Sequence, residues 1–303
     1  MQTGSATPQL NPLPRDNSLA GIALMALGFF FFSASDSLAK LLTDSFHPLQ
    51  IVWMRTFGLF AGVCFLLLTR GPGILATAKP KLQILRGVVA SGSAACFIFA
   101  VAHVPLADAV AVTFVAPFIV TVFGAVLLKE SVGIRRWLAV VAGFLGMLIV
   151  IRPGMGVFSP AIFLVVVAAV FFAIRQLLSR WLSGIDPVIT TVAYTSIVSF
   201  LISGLAMPFV WITPQGSTMI LLILGLAIFG GVGEILIIRA LDIAQSVVLA
   251  PIHYTLIIWS TLYGYIIFND LPDQWTLLGC SIIVLSGLYT SYREYVLSSK
   301  SSK

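Results

Sequence analysis

The stretch LAGIALMALGFFFFSASDSLAKLL, residues 19–42, decides the class of fold. An α-helix needs about 20 mostly apolar residues to cross a hydrocarbon core about 30 Å thick. Asp36 and Lys40 are the charged residues in this run, which is therefore apolar enough to stay in a bilayer. Similar runs recur as far as residue 295, with short breaks that contain Pro or Gly. This pattern predicts an all-α polytopic membrane protein.

The composition excludes a soluble protein. Hydrophobic residues make up 59% of the chain and charged residues 9%, whereas soluble domains carry about 25% charged residues. The formal net charge of +6 does not indicate a nucleic acid partner, because the basic residues lie mostly at the ends of the apolar runs, as in membrane proteins. The partners that we expect are the lipid bilayer and a small-molecule substrate.

The apolar runs predict ten transmembrane helices. Their ranges are 19–42, 47–69, 81–103, 106–128, 133–152, 158–181, 187–210, 217–240, 245–268 and 275–295. With the N-terminus in the cytoplasm, the Lys and Arg residues at helix ends fall on the cytoplasmic side, except for Lys40 and Arg152. This bias predicts a protein of the cell (inner) membrane with both termini cytoplasmic. Residues 1–18 are predicted as a disordered cytoplasmic tail and residues 296–303 as a second cytoplasmic tail.

The sequence repeats itself at an offset of about 140 residues. The matches include His47-Pro48 with Asp186-Pro187, Phe31-Phe32 with Phe171-Phe172, Ala100 with Ala240, and Glu130 with Asp270. Each match is weak by itself, but the nearly constant offset extends across five predicted helices. We therefore predict two five-helix repeats, residues 19–152 and residues 153–295.

An odd number of helices in each repeat predicts that the second repeat is inserted upside down. The charges agree, because the connections near 70–81 and 129–136 are basic, whereas the matching connections near 211–216 and 269–274 contain no Lys or Arg. Inverted-topology repeats are typical of transporters in which two similar halves alternately open the two sides of the membrane. The inverted repeat therefore predicts a secondary transporter that works by alternating access.

Short motifs lie along the predicted helices and in the connections between them. They are Trp53-Met54-Arg55, Arg86-Gly87, Pro105-Leu106-Ala107-Asp108-Ala109, Ala116-Pro117-Phe118, Lys129-Glu130 with Trp137, and IVIRPG at residues 149–154. These motifs resemble those of the drug/metabolite transporter superfamily, specifically its EamA-type members, and the resemblance covers residues 19–295, with Asp270 in place of the usual Glu. It implies a carrier of a small organic solute. Similarity to the bacterial aromatic amino acid exporter branch favours amino acid export, and carriers of S-adenosylmethionine or of cationic toxins are the alternatives.

Four ionisable residues are predicted to lie at membrane depth. A charged side chain there costs about 2.5–3.5 kcal/mol on insertion scales, so each one needs a partner or a water-filled cavity. Asp36 and Arg55 lie at similar depth below one membrane surface, and Arg175 and Glu234 lie at similar depth below the other. We predict two charge pairs that gate the two mouths of the pathway. Static pairs that orient the helices are the alternative.

The ninth apolar run is predicted to carry part of the substrate site. A bend at Pro251 is expected to free a carbonyl group, which persists at this depth only where it faces protein or water. His253 and Trp259 are predicted to meet the carboxylate and the apolar side chain of an amino-acid-like solute, with Tyr254 beside them. An unperturbed histidine titrates near neutral pH, so protons are a candidate coupling ion. Helix packing is the alternative role of these side chains.

Ser91, Ser93 and Tyr194 complete the predicted substrate-binding residues. The two serines lie on the third apolar run beside a line of small residues, which also suits close helix contact. Tyr194 matches Arg55 in the internal repeat. The three cysteines lie in separate apolar runs without CxxC spacing, so we expect neither a disulfide nor a metal site.

A membrane-embedded enzyme and a channel are the competing classes of function. The sequence has no HExxH or GxSxG motif and no paired intramembrane aspartates, so we expect no enzyme and assign no catalytic residue. A channel would more often show a symmetric ring of filter residues. The P-loop motif GxxxxGK[ST] is absent as well. We therefore expect no cofactor, and a driving force from a solute gradient, an exchange partner or protons.

The predicted topology is testable by cysteine accessibility. Single cysteines introduced as Gly71→Cys and Gln215→Cys in a cysteine-free chain are expected to react from opposite sides of the membrane, because the two connections differ in basic charge. Impermeant maleimide labelling of intact cells and of inverted vesicles measures this. Labelling of both cysteines from the same side would remove the ten-helix topology and the inverted repeat together.

Overall fold

The computed structural model of the protein describes residues 18–127, 133–152, 159–182, 185–244 and 246–301. The regular secondary structure in these ranges is helical. The first half contains α1 (Ser18–Leu42), α2 (Pro48–Arg70), α3 (Pro80–Val101), α4 (Leu106–Thr113), α5 (Ala116–Leu127) and α6 (Ile134–Ile151). The second half contains α7 (Ile162–Leu182), α8 (Val188–Leu205), α9 (Met207–Val210), α10 (Gly216–Ile243), α11 (Ser246–Leu249), α12 (Thr255–Phe268) and α13 (Gln274–Ser301). Short 3₁₀ turns follow α2 at Pro72–Leu75 and precede α12 at Ala250–Tyr254.

Seven candidate membrane spans are found within the described ranges. They are Leu19–Leu42, Pro48–Arg70, Pro80–Val101, Leu106–Phe123, Ile162–Ser179, Val188–Leu205 and Ser217–Leu241. Trp137–Ile151 and Gln274–Thr290 are apolar but shorter. By length and composition, this is a multi-pass helical membrane protein in which seven helices, not the ten predicted, meet the requirements for a span.

Three predicted spans are interrupted, and each interruption lies next to a proline. The predicted span 187–210 divides into α8 and α9 just before Pro208. The predicted span 106–128 divides into α4 and α5 just before Pro117, because proline has no N–H to donate and its ring disfavours helical geometry in the preceding residue. The predicted span 245–268 divides into α11, a 3₁₀ turn and α12. The bend expected at Pro251 is therefore confirmed.

The predicted tails and one motif are only partly described. Residues 1–17, Lys129-Glu130 and residues 302–303 lie outside the described residues. The helix α13 continues to Ser301, so it extends into the segment 296–303 that the sequence predicts as a tail. Hydrophobicity marks the end of the apolar part of this helix and not the end of the helix itself.

Glycines permit the closest contacts between helices. The helix α1 runs antiparallel to α10, with Gly21 beside Ala244 and Gly28 beside Gly233. A Cβ atom at Gly233 would lie 2.9 Å from the carbonyl oxygen of Gly28, so a side chain would force the two backbones apart. In lipid there is no hydrophobic driving force for helix association, so van der Waals contact between closely packed small residues stabilises the helix pairs instead.

The contacts between helices keep the same pattern when the two halves are exchanged. The helix α1 packs on α10 as α7 packs on α3, and α1 contacts α12 as α7 contacts α5. The pairs α2 with α8 and α6 with α13 each join corresponding helices of the two halves. The principal partner of each long helix therefore lies in the other half.

The order of contacts along each pair gives the direction of the helices. The bonds from Arg86 to Ser179 and from Ser93 to Ala168 show that α3 runs antiparallel to α7. Other contacts show that α3 runs parallel to α8, and that α2 runs antiparallel to both α8 and α1. It follows that α1 and α7, the first helices of the two halves, run in opposite directions.

The contact between α1 and α10 predicts which glycine tolerates a side chain. We expect Gly233→Val to destabilise the protein by about 1–3 kcal/mol, because the added atoms meet backbone that cannot move aside. The matched control is Gly62→Val, since a Cβ atom at Gly62 would have no neighbour within 4 Å. Thermal unfolding of the detergent-purified proteins compares the two, and equal melting temperatures would contradict the proposed packing.

Candidate solute-binding site

A buried ion pair joins α1 and α2. The Nη1 atom of Arg55 lies 2.6 Å from Oδ1 of Asp36, and the guanidinium lies over the ring of Phe32, 4.5 Å from its centroid. Gly230 of α10 allows this approach, because a Cβ atom there would lie 3.4 Å from Cγ of Arg55 and 3.0 Å from Oγ of Ser35. The pairing expected from the sequence is present, and its role as a gate stays a prediction.

The second predicted pair, Arg175 with Glu234, is not formed. Among the described residues no ion pair within 4.0 Å joins them. The Arg175 guanidinium instead lies over the ring of Phe172, 4.7 Å from its centroid, on the same helix. The physical reason is the packing: α7 packs mainly on α3, whereas α10 packs mainly on α1 and α2. Arg175 and Glu234 therefore lie on helices that pack against different neighbours, and their side chains do not meet.

Arg86 is the functional candidate that the sequence reasoning missed. Its Nε atom donates a hydrogen bond to Oγ of Ser179 over 2.7 Å, and its Nη1 atom donates to Oγ1 of Thr195. The charges of Arg175 and Glu234 both act on it. In the sequence alone, Arg86 stands out only as a helix-end cation and as part of the motif Arg86-Gly87. The available signal was its place almost two turns inside α3, which begins at Pro80.

His253 and Trp259 both face α1. The His253 ring centroid lies 4.8 Å from that of Phe29, and the Trp259 ring meets Phe30 edge to face at 5.2 Å. The Nε1 atom of Trp259 is buried without a hydrogen-bond partner among the described residues. The structure thus brings these two predicted site residues to the same helix.

Tyr254 lies on a different side of the broken helix. Its ring stacks on Phe114 with centroids 5.0 Å apart and packs against Gly287 of α13, where a Cβ atom would overlap it. It belongs to the hydrophobic core around α4 and α6 and not to the surroundings of His253. This placement favours packing as the role of Tyr254.

The structure does not bring the remaining predicted binding residues together. Ser93 donates from Oγ to the carbonyl of Ala168 on α7, over 2.8 Å, and Tyr194 donates from its hydroxyl to the carbonyl of Leu75, over 3.2 Å. Both hydroxyls thus connect the two halves. Ser91 is buried on α3. Their part in binding solute stays a prediction.

Four buried N–H donors lack an acceptor among the described residues. They are Nη2 of Arg55, Nε of Arg175, Nε1 of Trp259 and Nη1 of Arg293. Leaving such a group unsatisfied costs about 1–3 kcal/mol, and more for a charged group. These donors come from four different helices, α2, α7, α12 and α13. Donors of this kind suit a solute rich in hydrogen-bond acceptors.

A groove between α5, α6 and α7 is a different kind of surface. It encloses about 400 Å³, and all its lining side chains are apolar: Val115, Phe118, Ile119, Val122, Phe123, Val140, Val141, Phe144, Leu145 and Val170. Several of them, including Phe144, are among the exposed hydrophobic residues. The groove offers nothing to a polar solute, and exposed apolar side chains of this kind suit contact with lipid.

Two ion pairs connect the halves at the connection before α13. Lys40 lies 3.3 Å from Asp270, and Arg152 pairs with Asp273. Burial by itself would raise the pKa of Asp273, but hydrogen bonds from Thr276 and from Arg152, together with the charge of Arg152, lower it below its usual range. A lowered carboxyl pKa means that this contact stabilises the fold at neutral pH and is lost as the pH falls through that pKa.

Comparison with known proteins places most of the chain among transporters. The model of the EamA-like transporter family matches twice, at residues 19–152 and 159–292. The S-adenosylmethionine uptake transporter of Rickettsia felis is 27% identical over 281 residues, which are 91% of this chain and 94% of that protein. The pseudopaline exporter CntI of Pseudomonas aeruginosa is 26% identical over 272 residues, 88% and 94% of the two chains. The riboflavin transporter of Vibrio cholerae is 29% identical over 221 residues, 73% and 74% of the two chains.

A solved crystal structure has the same fold. It shares 17% sequence identity with this chain, gives a TM-score of 0.64, and the match covers 91% of this chain and 98% of that chain. The resemblance that the sequence motifs indicate is confirmed by the two family matches, which together extend over both halves. The chain belongs to the EamA-like transporter family.

Proposed function

We propose that this protein is a secondary transporter that moves an amino-acid-like solute across the membrane by alternating access. The observation that carries the proposal is the pattern of helix contacts, which keeps its form when the two halves are exchanged. Such an arrangement can rock about its centre and open either side at similar cost. The duplicated family domain supports the same mechanism.

The proposal includes ten helices in two inverted repeats, with domain limits near residues 19–152 and 153–295. It counts α4 with α5, α8 with α9, and α11 with α12 as single interrupted spans. The opposite directions of α1 and α7 support the inversion. The distribution of Lys and Arg supports cytoplasmic termini.

The solute that we propose carries an α-amino-acid group. S-adenosylmethionine and the amino acids share this group, and S-adenosylmethionine is named for the relative from Rickettsia felis. Buried N–H donors without an acceptor suit a solute that carries a carboxylate, and the aromatic rings beside Trp259 suit an apolar side chain. Export of aromatic amino acids, favoured by the sequence motifs, and uptake of S-adenosylmethionine are the two forms of this proposal.

Counterflow in proteoliposomes separates these forms and tests the class of function. Vesicles loaded with an unlabelled solute are expected to accumulate the same labelled solute transiently, because a carrier exchanges its substrates and a channel does not. The panel contains S-adenosylmethionine, L-phenylalanine, L-tryptophan, riboflavin and a cationic toxin. Vesicles without protein are the control. Saturable flux of riboflavin or the toxin without any amino-acid-like solute would contradict the proposed substrate class, and the absence of saturable flux would reopen the enzyme reading.

The two residues that face α1 give a test of the site. His253→Ala is expected to reduce transport several-fold and to alter its dependence on pH, measured between about pH 5 and 8, because it removes the titratable imidazole beside the break in the ninth run. Trp259→Ala is expected to reduce the transport of bulky aromatic solutes more than that of small ones, because it removes the apolar indole surface against which a large side chain would pack. Initial rates across pH and solute size measure both effects.

Matched controls for these variants lie on the surface of the molecule. His103→Ala removes an exposed histidine, and Trp275→Ala removes a tryptophan that is 53% exposed. Both controls are expected to transport as the unaltered protein does. Unchanged transport by His253→Ala and Trp259→Ala at every pH and for every solute would assign the two side chains to packing.

A further inference from the structure

The buried charges of the described residues are balanced in one place and unbalanced in another. Asp36 and Arg55 form a neutral pair. Arg86 is hydrogen-bonded to Ser179, one helical turn from Arg175 on α7, and the charges of Arg175 and Glu234 both act on Arg86. Two positive charges and one negative charge therefore act in this region. An uncompensated cation is costly at this depth, and this group therefore attracts an anion.

Two hydrogen bonds connect the Arg86 side chain on α3 to the backbone of Arg175 on α7. Arg86 donates to Oγ of Ser179, and that oxygen donates in turn to the carbonyl of Arg175, over 2.8 Å. Arg175 lies one helical turn from Ser179 on the same face of α7. Since α3 packs closely along α7, both arginines belong to one contact between the halves.

The two arginines differ in how many of their N–H donors have an acceptor in the protein. Arg86 is held by two hydroxyls, from Ser179 and Thr195. Arg175 donates no side-chain hydrogen bond to any described residue, its Nε atom is buried, and the face of its guanidinium rests on Phe172. Arg86 is thus pre-positioned, and Arg175 retains the donors that a planar oxyanion requires.

We propose that Arg86 and Arg175 form the subsite that binds the carboxylate of the transported solute. A carboxylate accepts two parallel hydrogen bonds from a guanidinium, and this geometry is stronger and more selective than a contact with a single ammonium group. Glu234, whose charge acts on Arg86, is the carboxylate that we assign to the ammonium group of the same solute. The subsite rests on the proposed function in that the anion is part of the solute.

The test compares ligands that differ only in the carboxylate. Melting temperatures of the full chain in detergent are measured with S-adenosylmethionine and its decarboxylated analogue, with L-phenylalanine and phenethylamine, and with benzoate and benzamide. The unaltered protein is expected to be stabilised more by the first member of at least one pair. Arg86→Gln and Arg175→Gln are each expected to weaken the binding of that ligand about tenfold or more, as loss of a charge-assisted hydrogen bond does. Each substitution is also expected to abolish the preference for the ligand with the carboxylate.

The controls keep this test decisive. Arg70→Gln removes an exposed cation at the end of α2 and is expected to leave the binding of both ligands of a pair unchanged. Arg86→Gln also loses the bonds to Ser179 and Thr195 and is the variant at risk of misfolding, whereas Arg175→Gln breaks no hydrogen bond among the described residues. The subsite would be overturned if the unaltered protein showed no preference for a carboxylate. It would also be overturned if Arg175→Gln weakened the binding of both ligands of a pair equally.

Counterflow of the same ligands separates the subsite from the proposed function. Carboxylate-dependent stabilisation without any counterflow would leave the subsite in place and reject the transporter proposal for these solutes. Saturable counterflow that is equal for the carboxylate and its decarboxylated analogue would keep the carrier and reject the subsite.

Discussion

Hydrocarbon offers no hydrogen bonds, and this constraint governs the molecule from backbone to site. Backbone groups must be satisfied within each segment, so the chain crosses the bilayer as helices. Charged side chains must be neutralised within the protein, as Asp36 neutralises Arg55. Where a proline interrupts a helix, as at Pro251, the freed groups must face protein or water. The candidate site lies at the places where this requirement is only partly met.

The fold could be predicted from the sequence to the extent that it depends on hydrophobicity. Apolar length located the seven candidate spans that the structure contains, and Pro251 located the break in the ninth run. Hydrophobicity did not locate the end of α13, because a polar helix continues past the apolar part. It also placed the fourth run in one piece, whereas the structure divides it before Pro117.

The candidate site could be predicted only in part, because depth along a helix does not give direction around it. Asp36 and Arg55 have similar depth on adjacent helices, and they pair. Arg175 and Glu234 also have similar depth, but their helices pack on different partners, so they do not pair. Arg86 was missed because its hydroxyl partners lie in the other half of the chain, more than 90 residues away.

The exchanged pairing of the helices has a consequence for biogenesis. The main partner of α1 is α10, and the ribosome must add the chain between Leu42 and Gly216 before the two can meet, which takes roughly 9–35 s at about 5–20 residues per second. During this wait the glycine-lined face of α1 is solvated by lipid tails, which tolerate an apolar surface. Its carboxylate does not have to wait, because Arg55 follows only 19 residues later. Asp36 and Arg55 can thus neutralise each other long before α1 is packed.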